Sequence, residues 1–323
     1  MADGKIKRIV QTEKDGVTKY SIFKLTLALA GILFLLVLAL DRFVAVDGLT
    51  DRLSAEELNR VPDEFDATVD GMVFISTVVN LVQGELDRPL GGFRPDNIVW
   101  FGGLMPFDNV QNFQLGVMET VARTSIFLKE RISRAGGGSD EFVEALEEAS
   151  ERFNFSQTDK IFTRFQIREG LDSMRKYQRF VNDGKSGFYI RTDNLYDMLG
   201  VYREFLGDTH RKLAKWQEKD GSDVSFFDTD DYYYYGLGVA YATLALSRAI
   251  EAEFGEILRQ KGALTFLQSY LPSLEYATST NPPWVVLDGG LTSQFIPNHR
   301  SNLETQVNDA RFKIVSMMDT IRQ

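Results

Sequence analysis

Asp228, Asp230 and Asp231 lie within four residues of one another and lead directly into four consecutive tyrosines, Tyr232 to Tyr235. Carboxylates gathered in this way suggest general acid–base work, such as the paired acids that flank a scissile bond in glycan hydrolysis. The Glu-Ser pair of helical lysozyme-like transglycosylases is absent. A simpler reading is favoured: acids in the first turn of a helix complement its dipole, with Asp228 or Thr229 as the N-cap. Calcium ligation by the same acids fails on EF-hand spacing, here and at both Asp-Gly turns.

The two histidines, His210 and His299, have no Glu or His at the separations that zinc or di-iron helices require. His210, beside Arg211 and Lys212, reads as a solvated residue on a polar helix face. His299 reads as a local structural residue. There is no cysteine, which excludes disulfides, thiolate catalysis and thiolate-held metals. Gly184-Lys185-Ser186 echoes a phosphate loop, but Arg179 stands where the first glycine belongs. Ser173 to Lys176 and Ser21 to Lys24 match S-x-x-K without the companion motifs, and no G-x-S-x-G elbow occurs. No catalytic residue, metal ligand or cofactor is expected.

The elements that would position these groups are helical. Ser54 and Glu57 form a capping box for a short helix ending near Pro62. The apolar run within 64–83 has the length of a helix. Val110, Phe113, Val117, Val121, Thr124 and Leu128 recur at helical spacing up to Gly136-Gly137-Gly138. Further helices are expected from Ser139 or Asp140 through Glu151, from about Thr158 to Val181, and from Thr192 with a buried face at Leu195, Leu199, Tyr202, Leu206, Thr209, Leu213 and Trp216. Thr229 then caps a long helix to about Lys261, and a shorter helix runs to Pro272. Ser301 and Glu304 form a second capping box, after which Leu303, Val307, Ala310, Ile314, Met317 and Ile321 alternate by four and three. Within the long helix, Gly238, Ala242, Ala245, Ala249 and Ala252 make a stripe of small residues that admits a close neighbour, inside the domain or from a partner.

Residues 22 to 40, IFKLTLALAGILFLLVLAL, carry one charge, Lys24 near their start. Nineteen residues at helical rise span about 28 Å, close to the hydrocarbon thickness of ~30 Å. Six Lys/Arg precede the end of this segment and three follow it within residues 41–60. The bias places the N-terminus in the cytoplasm and the remainder outside. The expected plan is a short basic tail over 1–21, a transmembrane anchor over 22–40, a juxtamembrane linker over 41–62 and an extracytoplasmic multi-helix bundle over 63–323 with long ordered loops. Residues 1–40 have net charge +3, and the rest of a chain of net charge −10 therefore has −13. So acidic a domain repels phosphate backbones, and nucleic acid is not an expected partner.

One stretch, GGFRPDNIVWFGGLMPFDNVQNFQLG (91–116), mixes Gly, Pro and Asn with aromatics. It reads as a loop pinned to the bundle by Phe93, Trp100, Phe101 and Phe107, with Asp108 or Asn109 capping the helix that follows. Long ordered loops are often functional. Candidate partner-binding residues are therefore Phe93, Asp96, Asn97, Trp100, Phe107, Asp108 and Asn109, joined by Asp230, Asp231, Tyr232, Tyr233, Gly238, Ala242 and Ala245 around the tyrosine run.

The blocks GGF-x-P-x-[DN], DNVQNFQLGV, GFYIRTDNLYDML, DDYYYYGLGVAYA and PPWVVLDGG through PNH, after a lone N-terminal span, resemble a family of uncharacterised bacterial single-pass inner-membrane proteins. That resemblance implies a bacterial source, an inner-membrane and periplasmic location, and a helical domain. It implies no activity. The sequence thus points to a non-enzymatic accessory, scaffold or docking subunit whose partners are the membrane and other envelope proteins; alternatives are a peptidoglycan-acting hydrolase and a small-molecule or lipid-binding helical domain.

Overall fold

A computed structural model describes residues 22–36, 39, 46, 48–50, 53–89, 92–95, 108–132, 140–154, 163–185, 187–279, 282–283, 286–287 and 297–323. Helix α1 covers residues 22–36. It is followed by α2 (Ala55–Leu58), α3 (Met72–Leu86), α4 (Asn109–Phe127, continuing into a π-helical turn, Leu128–Ile132), α5 (Asp140–Phe153), α6 (Thr163–Asn182), α7 (Thr192–Leu213), α8 (Phe226–Gln260), α9 (Leu264–Ser279) and α10 (His299–Arg322). Extended structure among the described residues is limited to isolated bridge positions, including the pair Gln217 and Asp223. The protein is all-helical there, as its periodicity predicts.

Every large apolar side chain of α1 that is described is exposed, from Ile22 at 58% and Phe23 at 64% to Leu36 at 54%. No helix among the described residues is long and apolar enough to cross a membrane. Of the 22–40 segment expected to span the membrane, residues 37, 38 and 40 lie outside the described residues.

Helix α8 is the axis of the bundle and packs against α3, α4, α7, α9 and α10, while α5 pairs with α6 and α10 lies between α7 and α9. Its start differs from expectation. Ser225, four residues before Thr229, is the N-cap: its hydroxyl accepts from Asp228 N at 3.2 Å and donates to Asp228 Oδ2 at 2.7 Å. The hydroxyl thus satisfies one free backbone N–H of the first turn while anchoring the Asp228 carboxylate, and Thr229 Oγ1 merely bonds back to Ser225 O. Helix α8 ends at Gln260 with Lys261 as its C-cap, and Gly262, with φ of +68°, permits paired bonds from Gly262 N to Arg259 O and Ala263 N to Leu258 O.

Other ends also differ. Thr192 is the first helical residue of α7 and Arg191 its cap, and Trp216 lies past that helix, 48% exposed. Helix α9 continues through Pro272 to Ser279, because Leu267, Tyr270, Leu271, Leu274 and Ala277 form a buried face that outweighs one lost backbone bond. Helix α10 is capped by Asn298, whose side chain accepts from Ser301 N at 2.9 Å. The expected Ser301–Glu304 box does not form, since Glu304 Oε1 instead lies 2.6 Å from His210 Nδ1 on α7. The capping box at Ser54 and Glu57 is present in both directions, at 2.7 and 3.1 Å. All six α10 seam residues from Leu303 to Ile321 are buried.

Polar groups join these helices from inside. Glu253 on α8 accepts from Gly71 N and Val73 N at 2.8 Å, capping α3 from another element. Arg88 and Glu85 form a buried ion pair at 2.5 Å, and Arg88 Nη2 also donates to Leu49 O at 3.1 Å. Together they satisfy a charge that would otherwise be costly to bury.

Candidate functional site at the head of helix α8

Helices α4 and α8 approach so closely that a Cβ on Gly238 would stand 2.1 Å from Phe113 O, and one on Gly116 2.2 Å from Tyr235 O. Only glycine allows backbones this near. The contact sets the first turns of α4 and α8 side by side. Gly238, Ala242, Ala245 and Ala249 are therefore buried within the domain, and Ala252 is exposed. Asn59 Nδ2 donates to Ala245 O at 3.0 Å.

The same approach collects Asp108, Asn112, Asp228, Asp230 and Asp231. Asn112 Nδ2 donates to Asp231 Oδ1 at 2.6 Å, and the Asp231 carboxyl shares a hydrogen bond with Asp108 that raises Asp231. Burial, then the charges of Asp108 and Asp230, pushes Asp231 up to about 7. Burial, then Asp108, pushes Asp230 up to about 6. Asp108 is also raised, chiefly by burial. Because α8 starts at Phe226, only Asp228 lies in its first turn. Asp230 and Asp231 sit beyond the strongest part of the helix dipole, which accounts for the absence of the relief expected from sequence.

Asp230 Oδ1 and Asn109 Oδ1 are buried and without hydrogen-bond partners among the described residues. Asp108 occupies the N-cap position of α4 but makes no side-chain cap bond; its carboxylate is engaged by Asp231 instead. Among the described residues no group of three His, Cys, Asp or Glu side chains is arranged to hold a metal ion.

The four tyrosines radiate around α8. Tyr232 OH donates to Glu218 Oε1 at 2.7 Å and accepts from Lys215 Nζ at 3.0 Å. Tyr233 and Tyr234 meet edge to face with centroids 5.3 Å apart, and Tyr234 OH donates to Pro283 O. The Lys212 ammonium lies 3.5 Å from the centroid of Tyr235, a cation–π contact; burial lowers that lysine despite the pull of Glu119 and Asp231.

Tyr233 also lines a cavity of about 330 Å³ between α8, α9 and α10, with Tyr276, His299, Asn302, Thr305 and Gln306. Here His299 Nδ1 accepts from Leu287 N and His299 N donates to Leu287 O, both at 3.0 Å. The local structural role expected for His299 is what the structure shows. His210, expected on a solvated face, instead sits against Glu304. A larger cavity of about 620 Å³ lies between α4, its π-helical turn and α7. Its arginines are already paired: Arg123 with Glu119 and Asp208, Arg131 with Asp197, and Arg203 with Glu204.

Of the remaining candidate residues, Phe93 is fully buried. The segment around it is held by Gln114, which accepts from Arg94 N and donates to Glu85 O and Gly92 O. Asp96, Asn97, Trp100, Phe101 and Phe107 lie outside the described residues. Asn112, Gln114 and Lys212 are not among the residues expected from sequence. Asn112 follows Asp108 by one helical turn, the spacing that marks it as a neighbour of that carboxylate. Ser173, the S-x-x-K serine, donates to Glu148 Oε2 at 2.8 Å and ties α6 to α5.

A protein-family model described as "Uncharacterized protein conserved in bacteria (DUF2333)" matches residues 17–226 and 209–319, and the chain belongs to that family. No curated protein and no solved structure matches the chain.

Proposed function

From membership of that bacterial family, we propose that this chain is an envelope protein anchored in the cytoplasmic membrane by its N-terminal segment. Its acidic helical domain lies in the periplasm and serves as an accessory or docking subunit of a membrane or envelope complex, with no catalysis of its own. The observation that carries this reading is α1. A helix whose large apolar side chains are more than 40% exposed on every side is unstable in water and at home in lipid. The apolar sequence continues to Leu40, and the lysines before it match a cytoplasmic N-terminus. The docking face is assigned to the loop before α4 and the head of α8, with Asp108 and Asn109 at its described edge.

Two measurements test the proposal on the full chain in bacterial cells. The protein is expected to stay with the membrane through alkaline carbonate extraction. Photo-crosslinkers at Trp100 and Asn109 are expected to capture other envelope proteins. Release into the soluble fraction refutes the anchor, and adducts with this chain alone refute the docking role.

The hydrolase alternative has one observation in its favour, the carboxyls of Asp230 and Asp231, raised to about 6 and about 7. Their arrangement argues against it. Asp108 and Asp231 bond to each other rather than standing apart across a substrate bond, as glycosidase acids do at ~5–9.5 Å. Loss of muropeptide release in Asp230→Asn, with folding intact, is the outcome that restores it.

A further inference from the structure

The cavity between α8, α9 and α10 is chemically unlike the surface around it. In a chain of net charge −10, its lining among the described residues contains no Asp, Glu, Lys or Arg: the walls are Tyr233 and Tyr276, the apolar Ala277, Pro283 and Leu303, the neutral hydrogen-bonding groups of Asn302, Thr305 and Gln306, and His299. His299 Nδ1 is taken by Leu287 N, so Nε2 carries the proton and donates. Burial holds this histidine below the usual imidazole range, which keeps it neutral at pH 7. Tyr276 is 62% exposed at the rim, a large apolar face available for contact.

These features discriminate between ligand classes. A phosphate or carboxylate ligand finds no cation among the described lining residues. A lipid chain would match Ala277, Pro283 and Leu303 but leave the amides and the imidazole N–H unpaired against hydrocarbon, which is unfavourable for each group. A sugar ring satisfies both kinds of wall, with C–H faces against the tyrosines and hydroxyls to the amides. The volume of about 330 Å³ falls at the lower end of small-ligand sites, roughly 300–1,000 Å³.

We propose that this cavity is a binding site for an uncharged saccharide, with Tyr276 as the stacking platform and Asn302 and Gln306 as hydroxyl-reading amides. The site does not depend on the membrane anchor or on the docking face at Asp108.

The test uses the full chain in a detergent without a sugar headgroup, titrated calorimetrically with tri-N-acetylchitotriose and, separately, maltotriose. Saturable binding of at least one, with Kd below about 1 mM, is expected, weakened tenfold or more in both Tyr276→Ala and Gln306→Ala. Tyr276 is exposed and Gln306 half-buried, so these variants are expected to keep the wild-type melting temperature. A preference for the N-acetylated probe assigns amino-sugar glycan, and a preference for maltotriose assigns a glucan. The proposal is overturned if neither probe saturates, if binding survives both substitutions, or if trigalacturonate binds as tightly as the neutral sugars.

Discussion

Asp231 sits where the carboxylates crowd most, and replacing it with asparagine separates charge from shape. In the folded protein its carboxyl is raised from 3.8 to about 7. The folded-state value exceeds the unfolded one. The stability it contributes is therefore complete below pH ~4 and is lost as pH climbs through about 7. A rise of roughly 3 units at ~1.4 kcal/mol each sets a ceiling of about 4 kcal/mol. The carboxyl is only partly buried, and solvent screening reduces this to the order of 2 kcal/mol.

Asparagine does not titrate, yet its oxygen can still accept from Asn112 Nδ2 and its amide can donate to Asp108 as the protonated acid does. Asp231→Asn is thus expected to match wild type at pH 4.5 and to be more stable by about 2 kcal/mol at pH 8, or by roughly 5 °C in melting temperature. Urea denaturation at constant ionic strength, with wild type and variant compared at each pH, isolates this residue from the shared titration of Asp108, Asp230 and Lys212. Equal destabilisation at both pH values would refute the reasoning, because it would show that Asp231 acts through geometry alone.

The α4–α8 crossing predicts that Gly238→Ala, although it raises helix propensity by about 1 kcal/mol, destabilises the protein by about 3 kcal/mol because its Cβ meets Phe113 O; a lower urea midpoint with unchanged slope is the expected readout. Glu253→Ala strips the acceptor from Gly71, Val73 and Phe74 and is expected to cost about 2 kcal/mol. Faster hydrogen exchange should be confined first to the amides at the start of α3, and uniform loss of protection would count against a capping role.

Helix period and apolar spacing are properties of the chain itself, which is why the α10 seam from Leu303 to Ile321 and the box at Ser54 and Glu57 can be read directly from the order of residues. Helix ends are less legible. Thr229 and Ser301 have the right residue type for caps, but Ser225 and Asn298 are better placed, and a local motif cannot say which of several competent oxygens wins. Pro272 looks like a stop until the buried face that continues past it is known.

The site depends on tertiary structure for a different reason. Asn112 and Asp231 are 119 residues apart, and the neutral cavity draws on three helices. The sequence determined an all-helical, acidic chain with an apolar N-terminal segment, because composition and periodicity act within a few turns. Only the packing of α4 on α8, allowed by Gly116 and Gly238, decided that the small-residue stripe faces inward and that carboxylates distant in sequence press on one another. Burial and carboxylate–carboxylate repulsion arise from distances in space, and distance in space is what a linear pattern does not encode.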